Sequence, residues 1–499
     1  MARFGHDGSN APTARGYEQA RILGGGSAIN GMGANRGAPA DYAEWEAAGA
    51  AGWGWDDVLP FFRRAERDLD LPDDPLHGRD GPFPIRRVRR DHFAPFVRAV
   101  EDALTARGHP ACADQNGAWE DGTFPAATNL DEEGQRASVA TAYLTSAVRA
   151  RPNLAIRTGT PVERLTLDGT RVTGAVLRNP DGATETVRAT MTIVSAGAFH
   201  SPALLMRSGI GPAGDLAALG IPVAVRLDGV GRNLMEHPSI GVSAFLRPGQ
   251  RMTGGDRYHL QALLRWSSGL DGTPPGDMHV AMQARSGWHS VARRIGTLFS
   301  WVNKSYSIGR VSLVSPDPCT PPAVDLNLLS DSRDLVRLAM AFRLTASVLV
   351  DPALAGVVLD VFPSTYSARV KRLLRPTRTN GALTALAAPL MDTSAAFRAR
   401  VLAMAGEGNA PLATLLSDEG ALERHLRRHV GGVWHPCGTC RMGDPDDPRS
   451  VCDPAGRVIG VEGLMVCDAS LFPTIPCANL NFPVIMTAEK IADGLRRDL

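Results

Sequence analysis

The sequence predicts an α/β protein of two domains, and three observations carry that reading. At 499 residues the chain is too long for one simple core. A strand-to-helix unit stands out between Asn153 and Gly209. The tail then returns to a strand, a loop and a helix, so one domain is assembled from separated pieces of sequence.

Taken in order, LAIRTGTPVERLTLDGTRVTGAVLRN alternates apolar and polar residues, with turn signals at Asp168-Gly169 and Asp181-Gly182. That pattern predicts a small antiparallel layer. MTIVSAGA follows as a short β-branched run ending on small residues. Ser201-Pro202 is expected to open a helix through LLMRSG, with Ser201 as N-cap and Pro202 in the first turn. From about Phe245 to His429, strand-like pieces (GRVSLVSP, PAVDLNLL) mix with helix-like ones (DLVRLAMAFRLTASVL, DEGALERHLRRHV). This body is expected to be a sheet flanked by helices. Within it, Thr365 to Asn409 reads as irregular and rich in Arg and Ala. The tail supplies the strand GLMVCDAS and the helix VIMTAEKIADGLRR.

Composition excludes several function classes. A hydrophobic share of 44% and a charged share of 21% are ordinary for a globular protein. A formal net charge of +1 gives no reason to expect nucleic acid or an acidic membrane as partner. No run approaches the roughly 18 apolar residues of a membrane span. The N-terminus, MARFGHDGSNAPTARGYEQ, lacks the apolar core of a signal peptide. Of seven cysteines, five lie between Cys437 and Cys477. Cys437 and Cys440 form a CxxC, which admits a metal knuckle or a redox pair. No second CxxC stands at ligand spacing, and no strand-to-helix redox context precedes this one. Ordinary reduced thiols are the expectation, with no metal, in a reducing, cytoplasmic setting.

Three motifs bear on chemistry. Arg21-Ile-Leu-Gly24-Gly25-Gly26-Ser27-Ala-Ile-Asn30-Gly31 places three glycines in succession. They let backbone approach a ligand closely and could turn N–H groups toward an anion, or they form a plain flexible turn. Gly209-Ile-Gly211-Pro-Ala-Gly214 satisfies GxGxxG, but a helix precedes it and Pro212 sits inside the turn. A pyrophosphate loop needs strand, glycine turn and helix N-terminus, so this match is a decoy. The tail holds Trp434-His435-Pro436-Cys437 in a loop bounded by Pro and Gly, and Ala478-Asn479-Leu-Asn481 in a second loop. A histidine is the natural acceptor of an alcohol proton near neutral pH. An asparagine amide can hold the same oxygen without competing for that proton. A lone histidine among apolar residues is otherwise a core residue.

With these residues in view, the chain resembles the glucose–methanol–choline (GMC) family of FAD-dependent oxidoreductases from about Tyr17 to the C-terminus. The resemblance is carried by Arg21 to Gly37, by Gly197-Ala-Phe-His-Ser201-Pro202-Ala-Leu-Leu-Met-Arg-Ser208-Gly209-Ile-Gly211, by Gly229-Val-Gly231-Arg-Asn233-Leu-Met-Glu-His237-Pro238 and by the tail. It implies a Rossmann-like FAD-binding domain from residues 1–45, 150–240 and 430–499, and a substrate-binding domain from 46–149 and 241–429. It also implies that His435 is the active-site histidine and Asn479 the second active-site position. The flavin would lie against Gly24, Gly25, Gly26, Ser27, Asn30 and Gly31, with Val162 at the adenine. Asp468 would stand near the ribityl and pyrophosphate region, and Ala469 and Asn481 join the cofactor-binding set. Relatives that hold FAD covalently use a His just before the Asn30 position. Ile29 stands there, so the FAD is expected to be non-covalent.

Within the family the chain is similar to the 5-(hydroxymethyl)furfural oxidase type, through Tyr17 to Ser27, Asp74-Pro-Leu-His-Gly78, Asp114-Gln-Asn116, Trp301-Val-Asn-Lys304 and Gly431-Gly-Val-Trp-His435. That likeness implies primary alcohols on furan or benzene rings, and hydrates of their aldehydes, as substrates. Oxygen is the expected electron acceptor; the alternatives are a dehydrogenase using a quinone or carrier protein, and an inactive fragment. Trp434, Trp301 and Phe482 could line an aromatic pocket or pack in the core. Family members begin with a strand, a GxGxxG turn, a helix and an acidic ribose anchor, a unit of roughly 30 residues that is not found ahead of Tyr17. A truncated gene product with Met1 as an internal methionine is the expectation, and with it weak FAD binding by this chain.

Overall fold

The computed structural model describes residues 1–5, 14–253, 258–365, 367–406 and 410–498. Its largest sheet has six strands in the order Val358–Pro363, Ser239–Leu246, Ile295–Val302, Met278–Gln283, Leu260–Trp266 and Gly122–Pro125. Every neighbouring pair is antiparallel. Ser239–Leu246 is buried at every position, so SIGVSAFL shows no polar alternation. The helix Ser332–Leu349 packs on this strand and on Ile295–Val302. It does so because Leu338, Ala341, Phe342, Thr345, Ala346 and Leu349 recur at helical spacing and are buried. Each fully buried Leu or Phe in that stripe contributes about 1.5–3 kcal/mol. The Asp331 carboxylate caps the helix by accepting from the Arg333 amide. The helix Pro95–Thr105 packs beside it, over Leu260–Trp266 and Met278–Gln283.

The predicted small layer is present as the antiparallel strands Val162–Asp168, Arg171–Arg178 and Thr184–Arg188. Next, Thr192–Val194 pairs in parallel with Leu464–Val466, bringing the middle and the tail of the chain into one sheet. The helix after Thr192–Val194 runs over Gly197–Arg207, which corrects the start expected at Ser201. Gly197 opens it at φ +80°, a conformation glycine adopts without strain. The helix has no side-chain N-cap; the Ser201 hydroxyl instead donates to Asp468 at 2.5 Å.

A second correction concerns Thr365 to Asn409. It is helical over Ala368–Leu374, Arg378–Thr393 and Ala395–Ala405, and Asn409 lies outside the described residues. Ala, Leu and Arg favour helix, and Ser367, Thr377 and Ser394 cap the three starts by accepting from Val370, Asn380 and Phe397 amides. An unanticipated strand, Ala2–Gly5, pairs in parallel with Ala323–Leu328, whose other edge takes Arg310–Ser312.

Candidate active site

Two distant segments run antiparallel and build the centre of the site. Ser239 and Gly431 exchange backbone hydrogen bonds of 2.9 Å each, and Met235 and Cys437 exchange two of 3.1 Å. Between those ends the ladder is broken, and the Glu236 side chain takes its place. Its fully buried carboxylate accepts from the amides of His237 at 2.8 Å, Val433 at 3.2 Å and His435 at 2.8 Å. It also accepts from the Tyr17 hydroxyl. Burial pushes the Glu236 carboxyl up to about 7, against the lowering pull of the Tyr17 hydroxyl and those amides. A Cβ on Gly432 would meet this carboxylate at 3.0 Å, so the position has room only for glycine or for a shifted Glu236. Trp434 then turns at φ +61°, strained for a bulky residue, and the next residue, His435, points inward.

The structure brings His435 and Asn479 together, with Nε2 of the imidazole 3.1 Å from Nδ2 of the amide. Burial alone lowers the His435 pKa to about 3, so the ring is a neutral base at physiological pH. His435 Nδ1 lies 2.9 Å from Nδ1 of His237, whose Nε2 lies 3.2 Å from the Pro476 carbonyl. Asn479 is anchored by its own amide, which donates to Asn35 Oδ1 at 2.6 Å. Its side-chain oxygen sits 2.9 Å from where a Cβ on Gly33 would be, so a side chain at 33 would displace the amide.

The loop carrying Asn479 is tied down by charge. Lys304 Nζ donates to Asp41 Oδ1 at 3.0 Å and to the Ile475 carbonyl at 2.9 Å. Asp41 Oδ2 accepts from the Cys477 amide at 2.8 Å. Sequence reasoning identified neither Asp41 nor Asn35 nor Tyr17 as a functional residue. Glu236 and His237 were visible only as parts of a motif without a role, and the run Glu236-His237-Pro238 was the signal that could have found them.

The glycine loop is a 3-10 turn, Gly25–Ala28. The amides of Gly25, Ser27, Ile29 and Asn30 donate to carbonyls of the loop itself, which corrects the idea of an anion nest at those groups. Its contribution is close approach, because a Cβ on Gly25, Gly26 or Gly31 would meet nothing within 4 Å. Ser27 faces inward and accepts from the Val139 amide, while Asn30 Oδ1 receives Arg136 at 2.8 Å and the Met32 amide at 3.1 Å. Ile29 is exposed and offers no nucleophile for a covalent flavin bond. Asp468 is engaged within the chain: Oδ2 accepts from the Gly197 amide and the Ser201 hydroxyl, and Oδ1 from the Ser470 amide and hydroxyl. It therefore organises the N-terminus of Gly197–Arg207. The Ala469 carbonyl accepts from the Gly438 amide, Asn481 starts the helix Asn481–Asp498 and reaches Asn129, and Val162 stands half-exposed at a strand start. The open face of Gly25, Gly26 and Gly31 leads along the chain to Gly33, which abuts Asn479, and leaves room for a large planar group such as a flavin.

Of the three aromatic candidates, Phe482 is core, stacked on Phe83 and edge-on to Phe62. Trp434 is partly exposed and packs against Tyr17. Trp301 belongs to a small apolar cluster with Tyr258, Leu263 and Ala281, edged by Met32 and Val433. All seven cysteines are free thiols, and burial raises the pKa of each of the five in the tail.

Comparison with known proteins gives this geometry its context. Sequence models of the GMC oxidoreductase family match residues 8–239 and 305–488. The chain is 46% identical to the 5-(hydroxymethyl)furfural oxidase of Methylovorus sp. (strain MP688), over 96% of this chain and 83% of that protein. It is 33% identical to an oxygen-dependent choline dehydrogenase of Rhizobium etli, over 95% of this chain and 81% of that protein. Pyridoxine 4-oxidase from Mesorbium loti superposes with a TM-score of 0.81 at 27% identity, covering 99% of this chain and 88% of that one. The chain belongs to the GMC family of oxidoreductases, FAD-binding flavoproteins acting on CH–OH groups.

Proposed function

We propose that the chain oxidises primary alcohols borne on furan or benzene rings, and the hydrates of their aldehydes, with oxygen as electron acceptor. The observation that carries this reading is the His435–Asn479 pair, a neutral imidazole nitrogen and an amide N–H 3.1 Å apart. A substrate hydroxyl that replaces their direct contact donates its hydrogen to Nε2 and accepts from the amide. His435 takes the proton at Nε2 as the carbon–hydrogen bond breaks, and Asn479 steadies the charge growing on oxygen. Bound FAD supplies the hydride acceptor. The Gly25, Gly26 and Gly31 backbone and the Asn30 loop are the residues that would meet it. Trp301, Tyr258 and Leu263 form an apolar cluster edged by Val433, two residues before His435, and they suit a flat ring better than a charged substrate. The furfural oxidase likeness supports the ring, and two relatives whose names specify an oxidase or oxygen dependence support the acceptor.

The test is oxygen uptake during turnover of 5-(hydroxymethyl)furfural and benzyl alcohol. One peroxide per alcohol oxidised is expected. Reduction of a dye without oxygen uptake would make the protein a dehydrogenase. Asn479→Ala should slow substrate-driven flavin reduction by roughly 100- to 1000-fold with FAD content unchanged. Loss of FAD instead would reassign Asn479 to cofactor binding.

A further inference from the structure

We propose that His237 is a positioning residue: it fixes the proton of His435 on Nδ1 and so keeps Nε2 as the lone-pair nitrogen, which meets the Asn479 amide here and would take the substrate proton. The inference rests on the reading of His435 as base. Its warrant is a chain of three contacts that admits one pattern of donors and acceptors. The Pro476 carbonyl can only accept, so His237 Nε2, 3.2 Å away, carries a hydrogen. A neutral His237 then presents a lone pair at Nδ1. His435 Nδ1, 2.9 Å from it, must donate. His435 Nε2 is left as an acceptor, and the Asn479 amide hydrogen, 3.1 Å away, points at it.

The reverse pattern fails at its far end. If His435 carried its hydrogen on Nε2, its bare Nδ1 would need a hydrogen on His237 Nδ1. A neutral His237 would then set a lone pair against the Pro476 carbonyl, and a charged His237 would be a buried cation whose nearby carboxylate, Glu236, is bonded elsewhere. Burial, and His435 beside it, hold the His237 pKa well below the usual value, so the charged form is disfavoured. The groups around the pair agree. Glu236 is the nearest carboxylate, and its oxygens are taken by the Tyr17 hydroxyl and the His237, Val433 and His435 amides. The other charged neighbour, Lys304, is bonded to Asp41 and the Ile475 carbonyl. The two rings stand perpendicular, at 89°, with 5.1 Å between centroids, which sets Nδ1 of one against Nδ1 of the other.

A hydrogen bond made by one ring nitrogen commonly decides the state of the other, and the partner is often a carboxylate or a backbone carbonyl. Here a second imidazole does this task. The substrate O–H bond breaks and an Nε2–H bond forms on His435; the proton stays there, because His237 Nε2 meets the Pro476 carbonyl among the described residues, and a carbonyl takes on no proton. His435 must therefore release the proton by the route it came.

Two readouts test the assignment. In the protein labelled with 15N-histidine, with His435 assigned by loss of its signals in His435→Gln, two-bond correlation spectra should show a pyrrole-type Nδ1 and a pyridine-type Nε2. His237→Leu should shift His435 toward the other tautomer and lower kcat by about tenfold or more, with KM changed far less. His237→Gln should restore both, because its Oε1 can accept from Nδ1–H while its amide donates to Pro476. A pyrrole-type Nε2 in the unaltered chain overturns the proposal, and so do Leu and Gln variants with the same tautomer and kcat. Full turnover in His435→Ala would overturn the base, while the spectra would still decide the tautomer.

Discussion

Replacing His435 by alanine is expected to slow flavin reduction by about 100-fold or more, the usual contribution of a general base. The variant leaves the Glu236 framework intact, because the carboxylate binds the backbone amide of residue 435 and not its ring. Fold, and whatever flavin the unaltered protein holds, should therefore persist while chemistry fails. The clean measurement is a single-turnover reduction under anaerobic conditions, with FAD content read from the same sample. A rate within about threefold of the unaltered enzyme would remove His435 from the reaction.

Lys304→Met should cost about 3–5 kcal/mol of stability, since it strips a buried carboxylate of its counter-charge. Lys304 and Asp41 have side chains 4% and 2% exposed, so neither charge can turn to solvent. Burial pulls the Lys304 ammonium down, and Asp41 and Glu44 beside it more than reverse this, leaving its pKa raised. Denaturant unfolding of the single variant, and of Lys304→Met combined with Asp41→Asn, measures the effect. The double variant should recover a large part of the loss, because it removes both charges together. Equal loss in both would mean that shape, and not charge, holds this corner. Turnover should fall as well, because the same ammonium pins the loop at Ile475 that leads to Asn479.

The parts of this architecture that were legible in sequence were those fixed by local rules. Alternation and turn glycines revealed the strands between Val162 and Arg188, and the order of elements exposed the Gly209–Gly214 match as a decoy. The pairing of His435 with Asn479 was expected from family likeness alone, and the two side chains stand 3.1 Å apart. What could not be read was set by long-range or non-standard contacts. Glu236 replaces ladder hydrogen bonds with a side chain, and no periodicity announces such a substitution. The start at Gly197 carries no capping side chain, and the residue that looked like the cap, Ser201, serves Asp468. The helices between Ala368 and Ala405 leave Leu383, Leu386 and Leu390 exposed, so the apolar stripe that marks a packed helix is blurred there.

The raised thiols of the tail bear on durability. An enzyme that hands electrons to oxygen releases peroxide beside its own core, and peroxide attacks thiolates far faster than thiols. Burial holds Cys467 up to about 12 and pushes Cys437, Cys440, Cys452 and Cys477 up as well. The five sulfur atoms of the tail thus stay protonated and slow to oxidise, which would spare the catalytic loops if turnover hands electrons to oxygen as proposed.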